Sequence, residues 1–319
     1  MEVPKFLTQR ASVRAYRPEP IPEEDVAAML AAAQQAPTDA GAQLYSILRV
    51  RDPELRARLA ELSGGQRHVL EAAEFFIPLA DVYRLKRLLA HRGESLGNFP
   101  RTALHFALLD AALAGAHLAV AAEAMGYGIC WIGGLLNRVD EVARLLELPE
   151  GVLPISGLTV GVPAERPGPR PRLPRATVVH TDRYRRYAEE ELEEAYRAMA
   201  PITRSGDWLK VLKRYFAKGG TMEARDAVYG LAKALAGFSD DLPAPAARTL
   251  HLRGLDAGSL AEAIAWLLKH EWRGVLFSEG TFGESEVWIE QETEAHRGEG
   301  KTPGEALARA VEAAYPSEG

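Results

Sequence analysis

Apolar positions are unevenly spaced along this chain, and their spacing predicts alternating helices and strands. The densest run is residues 104–134, LHFALLDAALAGAHLAVAAEAMGYGICWIGG. Its first two-thirds contain no proline and one glycine, and apolar side chains fall on nearly every face of a helix. Such a helix is buried on most sides, in a large core or a subunit interface. Asp110, His117 and Glu123 interrupt it, which argues against a membrane span. Gly126 and Gly128 end it, and a short apolar strand is expected at 129–132. Gly133 and Gly134 then place bare backbone against a large neighbour.

Around this centre, a helix is expected from Pro22, with Glu23, Glu24 and Asp25 in its first turn. Strands are expected at 44–51, 75–80 and 152–162, a short amphipathic helix at 53–62, and a helix with a loop at 83–99. A charged helix is read at 184–198, and a basic segment follows at 202–218. From residue 239 the run SDDLPAPAAR has the polar, proline-rich character of a linker. Beyond it the pattern gives a strand at 248–253, an Ala-rich helix at 259–270, strands at 274–278 and 286–291, and a helix at 302–315. That is a small α/β unit of about 80 residues, with Trp266, Trp272 and Trp288 as core or interface anchors and no nucleophile, metal or phosphate motif. The chain thus divides at 1–238 and 239–319.

Composition narrows the function. A length of 319 residues accommodates two domains. A net charge of −6 argues against a dedicated nucleic-acid binder, which is usually basic. Cys130 is the only cysteine, so no intramolecular disulfide and no Cys-based metal site is expected. MEVPKFLTQR lacks the apolar core of a signal peptide, and the expected location is cytoplasmic.

Candidate chemistry lies in four places. In Arg10-Ala11-Ser12-Val13-Arg14 the two arginines and the serine alternate, so an extended backbone directs forked donors and a hydroxyl to one side. The plainer reading of that segment is a solvated edge strand. TDAGAQ places Asp39 in a polar loop, as a turn residue, an N-cap or a ligand contact, with the turn favoured. Gln66 follows a Gly-Gly turn and carries donors and an acceptor suited to a polar ring edge, or is simply exposed, and His68 is read as surface or packing. PGPRPRLP holds Arg170 and Arg172 in a proline-fixed extended segment, which is either an anion site or a linker.

QRASVRAYRPEPI, SGGQRHVLEAAEFFIPLAD, GYGICWIGGLLN, LPISGLTVGVPAERPGPRPRLP and VVHTDRYRRY occur in this order. Together they resemble the FMN-dependent nitroreductase superfamily, most of all its oxygen-insensitive NADPH nitroreductase (group A) and flavin reductase branch, over roughly residues 5–235. The resemblance implies an α+β fold with a mostly antiparallel sheet flanked by helices, in an intertwined homodimer with two FMN at its interface. It implies that Arg10, Ser12 and Arg14, with Ala11 and Val13 between them, hold the FMN phosphate and ribityl end, completed by Arg170 and Arg172. Gln66 would bond the isoalloxazine, and the backbone of Ile132, Gly133 and Gly134 would lie close to the ring. Where the family has a serine-rich loop, this chain has Pro37-Thr38-Asp39-Ala40-Gly41, which puts Asp39 near the flavin. The NADPH-selecting basic segment matches poorly apart from ITRSG around Arg204. The implied activity is ping-pong hydride transfer from NAD(P)H through flavin N5 to a small acceptor such as a nitroaromatic, a quinone or free flavin. No metal and no membrane partner is implied. A flavin-binding redox sensor, with the C-terminal unit as partner-binding output, is the alternative.

Overall fold

The computed structural model describes residues 4–238, 274–279, 285–290, 295–300 and 309–310. A one-turn helix, α1 (Lys5–Thr8), precedes an extended segment. Helix α2 (Glu23–Gln34) starts directly after Pro22, with three carboxylates in the first turn where the helix dipole favours them. Strand β1 (Tyr45–Arg49) leads to α3 (Pro53–Leu62), whose N-cap Asp52 accepts a hydrogen bond from the Leu55 amide at 2.8 Å. Next come α4 (Arg67–Glu71), β2 (Glu74–Asp81), α5 (Tyr83–His91) and the long α6 (Pro100–Ala124). Gly126, at φ 90°, ends α6 in left-handed backbone that a side chain disfavours. Strand β3 (Gly128–Ile132) runs into a 3-10 turn (Gly133–Arg138) and α7 (Val139–Leu145). Strands β4 (Val152–Pro154) and β5 (Gly157–Gly161) follow, then α8 (Arg175–Val178), α9 (Glu189–Met199), α10 (Leu209–Phe216) and α11 (Thr221–Leu235). Strands β6 (Gly274–Glu279), β7 (Ser285–Glu290) and β8 (Ala295–Gly300) form a separate antiparallel sheet in that order.

The first sheet is antiparallel throughout, in the order β1-β2-β5-β3, with β4 also paired to β2. This is the expected α+β architecture. The single strand expected at 152–162 is broken: β4 and β5 pair with successive parts of β2, and at the break the Ile155 amide donates to the Pro78 carbonyl at 3.1 Å. The charged helix expected from residue 184 begins at Glu189. Ahead of it, the Tyr187 hydroxyl donates to the Thr177 carbonyl at 2.9 Å, and the rings of His180, Tyr184 and Tyr187 gather, which folds the chain back instead of winding it. β8 (AHRGEG) lacks the apolar alternation that would have announced it. The linker at 239–248, the strand at 248–253, the helix at 259–270, Trp266 and Trp272 lie outside the described residues. The helix at 302–315 is described only at 309–310, which are helical.

Every residue of β2 is buried, and its alternation divides the core. Phe75, Ile77 and Leu79 face α3, α4 and α7 with Cys130 and Ile132 of β3, while Phe76 and Ile129 face α2 and α6 with Met29 and Leu118. By length and composition α6 could cross a bilayer, yet half of its apolar window is buried inside this fold. The approach is closest at Gly115, where an added Cβ would lie 2.7 Å from the Trp131 ring and 2.9 Å from the Pro78 ring. Five residues earlier, fully buried Asp110 accepts from the Asp39 amide at 3.0 Å and the Leu44 amide at 2.9 Å. It thereby holds a turn in which Ala40, Gly41 and Gln43 all have positive φ. Asp110→Ala leaves both amides without their acceptor. The variant is expected to lose about 2–4 kcal/mol in urea unfolding, and a loss within 0.5 kcal/mol (on the order of an ordinary surface change) would refute this role.

Candidate functional site

The N-terminal segment is laid against the outer strand of the sheet. The Val13 amide donates to the Ile129 carbonyl at 2.9 Å, and buried Val13 packs where a Cβ on Gly128 would stand, 2.8 Å away. In an extended chain the neighbours of a buried residue point the other way. Ser12 and Arg14 therefore lie on the face opposite Val13, and Arg14 is exposed. Tyr16 secures the far side: its hydroxyl donates to the Val13 carbonyl at 2.8 Å and shares a hydrogen bond with Thr159 at 2.8 Å. The segment then pairs with the chain leaving β5, through Tyr16 opposite Pro163 and the Arg17 amide on Val162 at 2.9 Å.

Four of the expected residues act electrostatically on one buried thiol. Burial pushes the Cys130 thiol's pKa up, while Arg14, a hydrogen bond with Ser12, Arg10 and Arg170 act in the opposite direction. Arg10 also pairs with Glu123 near the C-terminal end of α6, Nε to Oε1 at 3.3 Å, and its Nη2 is buried with no hydrogen-bond partner among the described residues. Burial raises the pKa of Glu123, and Arg10 pulls it back. Arg172 folds onto its own segment, donating from Nη1 to the carbonyls of Arg170 and Pro171 at 3.2 and 3.1 Å.

A second group forms where the 3-10 turn meets the residues ahead of α4. Gln66 donates through Nε2 to the Ser63 carbonyl at 2.8 Å. Gly134 lies against both: an added Cβ would stand 2.3 Å from Gln66 Nε2 and 2.3 Å from the Ser63 oxygen. Gly133 beside it has open space within 4 Å of its Cβ position. Buried Ser63 Oγ and buried His68 Nε2 have no hydrogen-bond partner among the described residues. His68 is therefore interior, not surface. Burial lowers its pKa, as does Arg14, and Glu71 and Glu165 partly restore it.

Asp39 and Arg204 stand in other elements. The Asp39 turn is held at Asp110 and Arg10 at Glu123, thirteen residues along α6, or about 20 Å of helix. Arg204 is exposed in a turn closed by the Asp207 amide on Thr203 Oγ1 at 2.9 Å.

Sequence reasoning missed several partners. Glu165 Oε1 accepts from the Arg14 and Ala15 amides at 2.6 and 3.1 Å, and Glu123, Ser63 and Asn137 also belong here. The i,i+3 spacing of Ser63 and Gln66 was the one local signal. The others are joined across at least 88 positions of sequence, which no periodicity reports.

The set suits a phosphorylated, ring-bearing ligand such as FMN. Cationic and hydroxyl donors act on the Cys130 thiol, the Gln66 amide sits against the backbone at Gly134, and among the described residues buried polar atoms of Arg10, Ser63 and His68 lack protein partners. Among the described residues, no cluster of three or more His, Cys, Asp or Glu could hold a metal ion.

The nitroreductase family model matches residues 7–162. The chain is 39% identical over 180 residues to an FMN reductase (NADPH) of Bacillus subtilis, covering 56% of this chain and 72% of that one. It is 35% identical over 222 residues to an oxygen-insensitive NADPH nitroreductase of Salmonella typhimurium, covering 67% and 90%. The solved NfrA1 nitroreductase of Bacillus subtilis superposes with a TM-score of 0.62 at 32% identity, over 70% of this chain and 96% of that chain. Fold and site thus define a reductase of the α+β class built to take a flavin nucleotide. The chain belongs to the nitroreductase family.

Two measurements test the geometry. Gly134→Ala is expected to cost about 1–3 kcal/mol in thermal or urea unfolding, because its Cβ meets a backbone carbonyl, whereas Gly133→Ala stays near wild type. Equal behaviour of the two would sink the cradle. For His68, a lowered folded pKa means that the unfolded state binds more protons below about pH 6.5. Stability should therefore fall as pH drops below that value, and His68→Phe should flatten the slope between about pH 6.5 and 5. An unchanged slope would contradict the assignment.

Proposed function

We propose that this chain is an FMN-dependent NAD(P)H oxidoreductase acting on small electron acceptors, with nitroaromatics, quinones and free flavin as the candidate classes. The observation that carries this reading is the segment 10–14, laid against β3 through Val13 so that Ser12 and Arg14 lie on the opposite face, in a chain of the nitroreductase family. When bound, FMN supplies the two-electron redox chemistry, which explains a site without a conventional acid–base pair or nucleophile. The chain's own residues bind and orient. Arg10, Ser12, Arg14, Arg170 and Arg172 take the phosphate and ribityl end, Arg172 by turning from its own carbonyls. Gln66 addresses the ring edge, and the Ile132–Gly134 backbone lies close enough to exclude water from one face. Arginines near the site also favour negative charge on the ring electrostatically.

The relatives above are named for NADPH, and Arg204 is the candidate for a nicotinamide 2′-phosphate. A homodimer is part of the reading. Along α6, Leu109 and Val120 are 46% and 40% exposed, with Ala112 exposed and Leu113 and Ala116 half-buried between them, an apolar stripe on one helix face. Two such helices related by a two-fold axis perpendicular to them run antiparallel, which brings Asp110 of one toward the C-terminal half of the other, where Glu123 lies. That arrangement gives Asp39 a route to a flavin that it lacks within one chain. We read 1–238 as the flavin domain and 239–319 as an appended unit, in a cytoplasmic enzyme. The sensor alternative depends on that appended unit, and nothing in the relatives' names favours it.

The test is a visible spectrum of the purified protein after reconstitution with FMN, then anaerobic addition of NADPH or NADH and of a nitroaromatic or quinone. Expected are stoichiometric FMN, full bleaching by a nicotinamide donor and recovery with the acceptor. Arg14→Ala should weaken FMN about tenfold or more. A protein that takes up no FMN would overturn the reading, and one that binds FMN but is inert to both donors would favour the sensor.

A further inference from the structure

We propose that Glu165 is the positioning residue of the phosphate site: its carboxylate fixes the backbone that presents Ser12 and Arg14, and ties that backbone to the loop carrying Arg170 and Arg172. The proposal rests on the flavin reading above and assigns a role to a residue outside the ligand set.

The geometry is that of a two-point clasp. One carboxylate oxygen, Oε1, accepts from the Arg14 amide at 2.6 Å and from the Ala15 amide at 3.1 Å. Hydrogen bonds to an ionised acceptor are the strong kind, and two on one oxygen fix both peptide planes. On either side the segment is already held, by the Val13 amide on Ile129 and by Tyr16 on Val13 and Thr159. Arg14 and Ala15 lie between those anchors, so the clasp sets the backbone where the Arg14 side chain departs. The same contact closes a loop from the other direction. Glu165 follows Ala164, whose amide donates to the Ala15 carbonyl at 2.9 Å, and the chain then runs through Pro167, Pro169 and Pro171 to Arg170 and Arg172. Proline limits the freedom of that run, so the point where it is tied strongly restricts where the two arginines can reach.

The charge of Glu165 is not what the site needs, because a carboxylate beside a phosphate repels it. What the backbone needs is an acceptor. An amide oxygen at the same position keeps the acceptor and removes the charge, whereas a methyl group removes both. This separates positioning from electrostatics.

The experiment uses the full chain as wild type, Glu165→Gln and Glu165→Ala. Dissociation constants for FMN and for riboflavin, which lacks the phosphate, are read from quenching of flavin fluorescence. Backbone exchange at Arg14 and Ala15 is followed without flavin. Glu165→Ala is expected to bind FMN about tenfold or more weakly, with riboflavin within about twofold of wild type and faster exchange at both amides. Glu165→Gln is expected to keep FMN affinity within about threefold and to keep the amides protected. Three results overturn the proposal: equal losses of FMN and riboflavin in the alanine variant, wild-type FMN affinity in that variant, or a glutamine variant as weak as alanine. If the alanine variant does not fold, the glutamine variant decides alone, because loss of its FMN preference over riboflavin refutes the proposal. A wild-type chain that binds FMN no better than riboflavin overturns the phosphate-site reading itself, a result distinct from all of these.

Discussion

The close approach of α6 to the sheet at Gly115 is the constraint on which the rest depends. With no side chain there, the helix settles onto Pro78 and Trp131, and its remaining small residues follow it into the core. A 25-residue rod fixed near its middle then spaces two carboxylates along its length. Asp110, close to that middle, holds the Asp39 turn, and Glu123, at the C-terminal end, pairs with Arg10. The proline in β2 fits the same scheme. It has no amide to give the ladder, yet its carbonyl still receives Ile155, and its ring lies against the helix at Gly115.

Bringing cations together is unfavourable until an anion arrives, and at Arg10 a carboxylate offsets that cost. Glu123 sits on the Arg10 guanidinium, whereas Glu165 holds the Arg14 backbone amide. Each also makes the structure more definite, because it holds an arginine side chain or its backbone in one place. The Arg10 side chain and the Arg14 backbone are thus held before any ligand is bound, which reduces the ordering that binding must supply.

Much of this was legible in the chain. The burial of α6 followed from apolar residues on every face, α3 from its cap and amphipathic spacing, and β2 from an unbroken apolar run. Local pattern could not report what distant segments supply. The break between β4 and β5 comes from pairing with β2, the late start of α9 from a knot of aromatic side chains, and the burial of His68 from a helix only five residues long. Of the site, the arginines and Gln66 stood out because their residue types imply ligand chemistry. Glu165, Glu123 and Ser63 did not, since each acts on a backbone group or on another side chain, and such roles leave no mark in composition.

The helix that closes the domain carries a consequence for how the chain can be shortened. Arg225 of α11 donates to the Asn137 side chain at 2.7 Å, within the 3-10 turn that begins with Gly133 and Gly134, and Ala236 receives the Gly151 amide at 2.8 Å. Residues well past the family match are therefore a brace for that turn. A minimal chain cut at the end of that match would keep every strand of the first sheet and still lose the rear support of the turn, together with Arg170 and Arg172. The boundary of a folded unit is set by what leans on it, not by where its recognisable sequence stops.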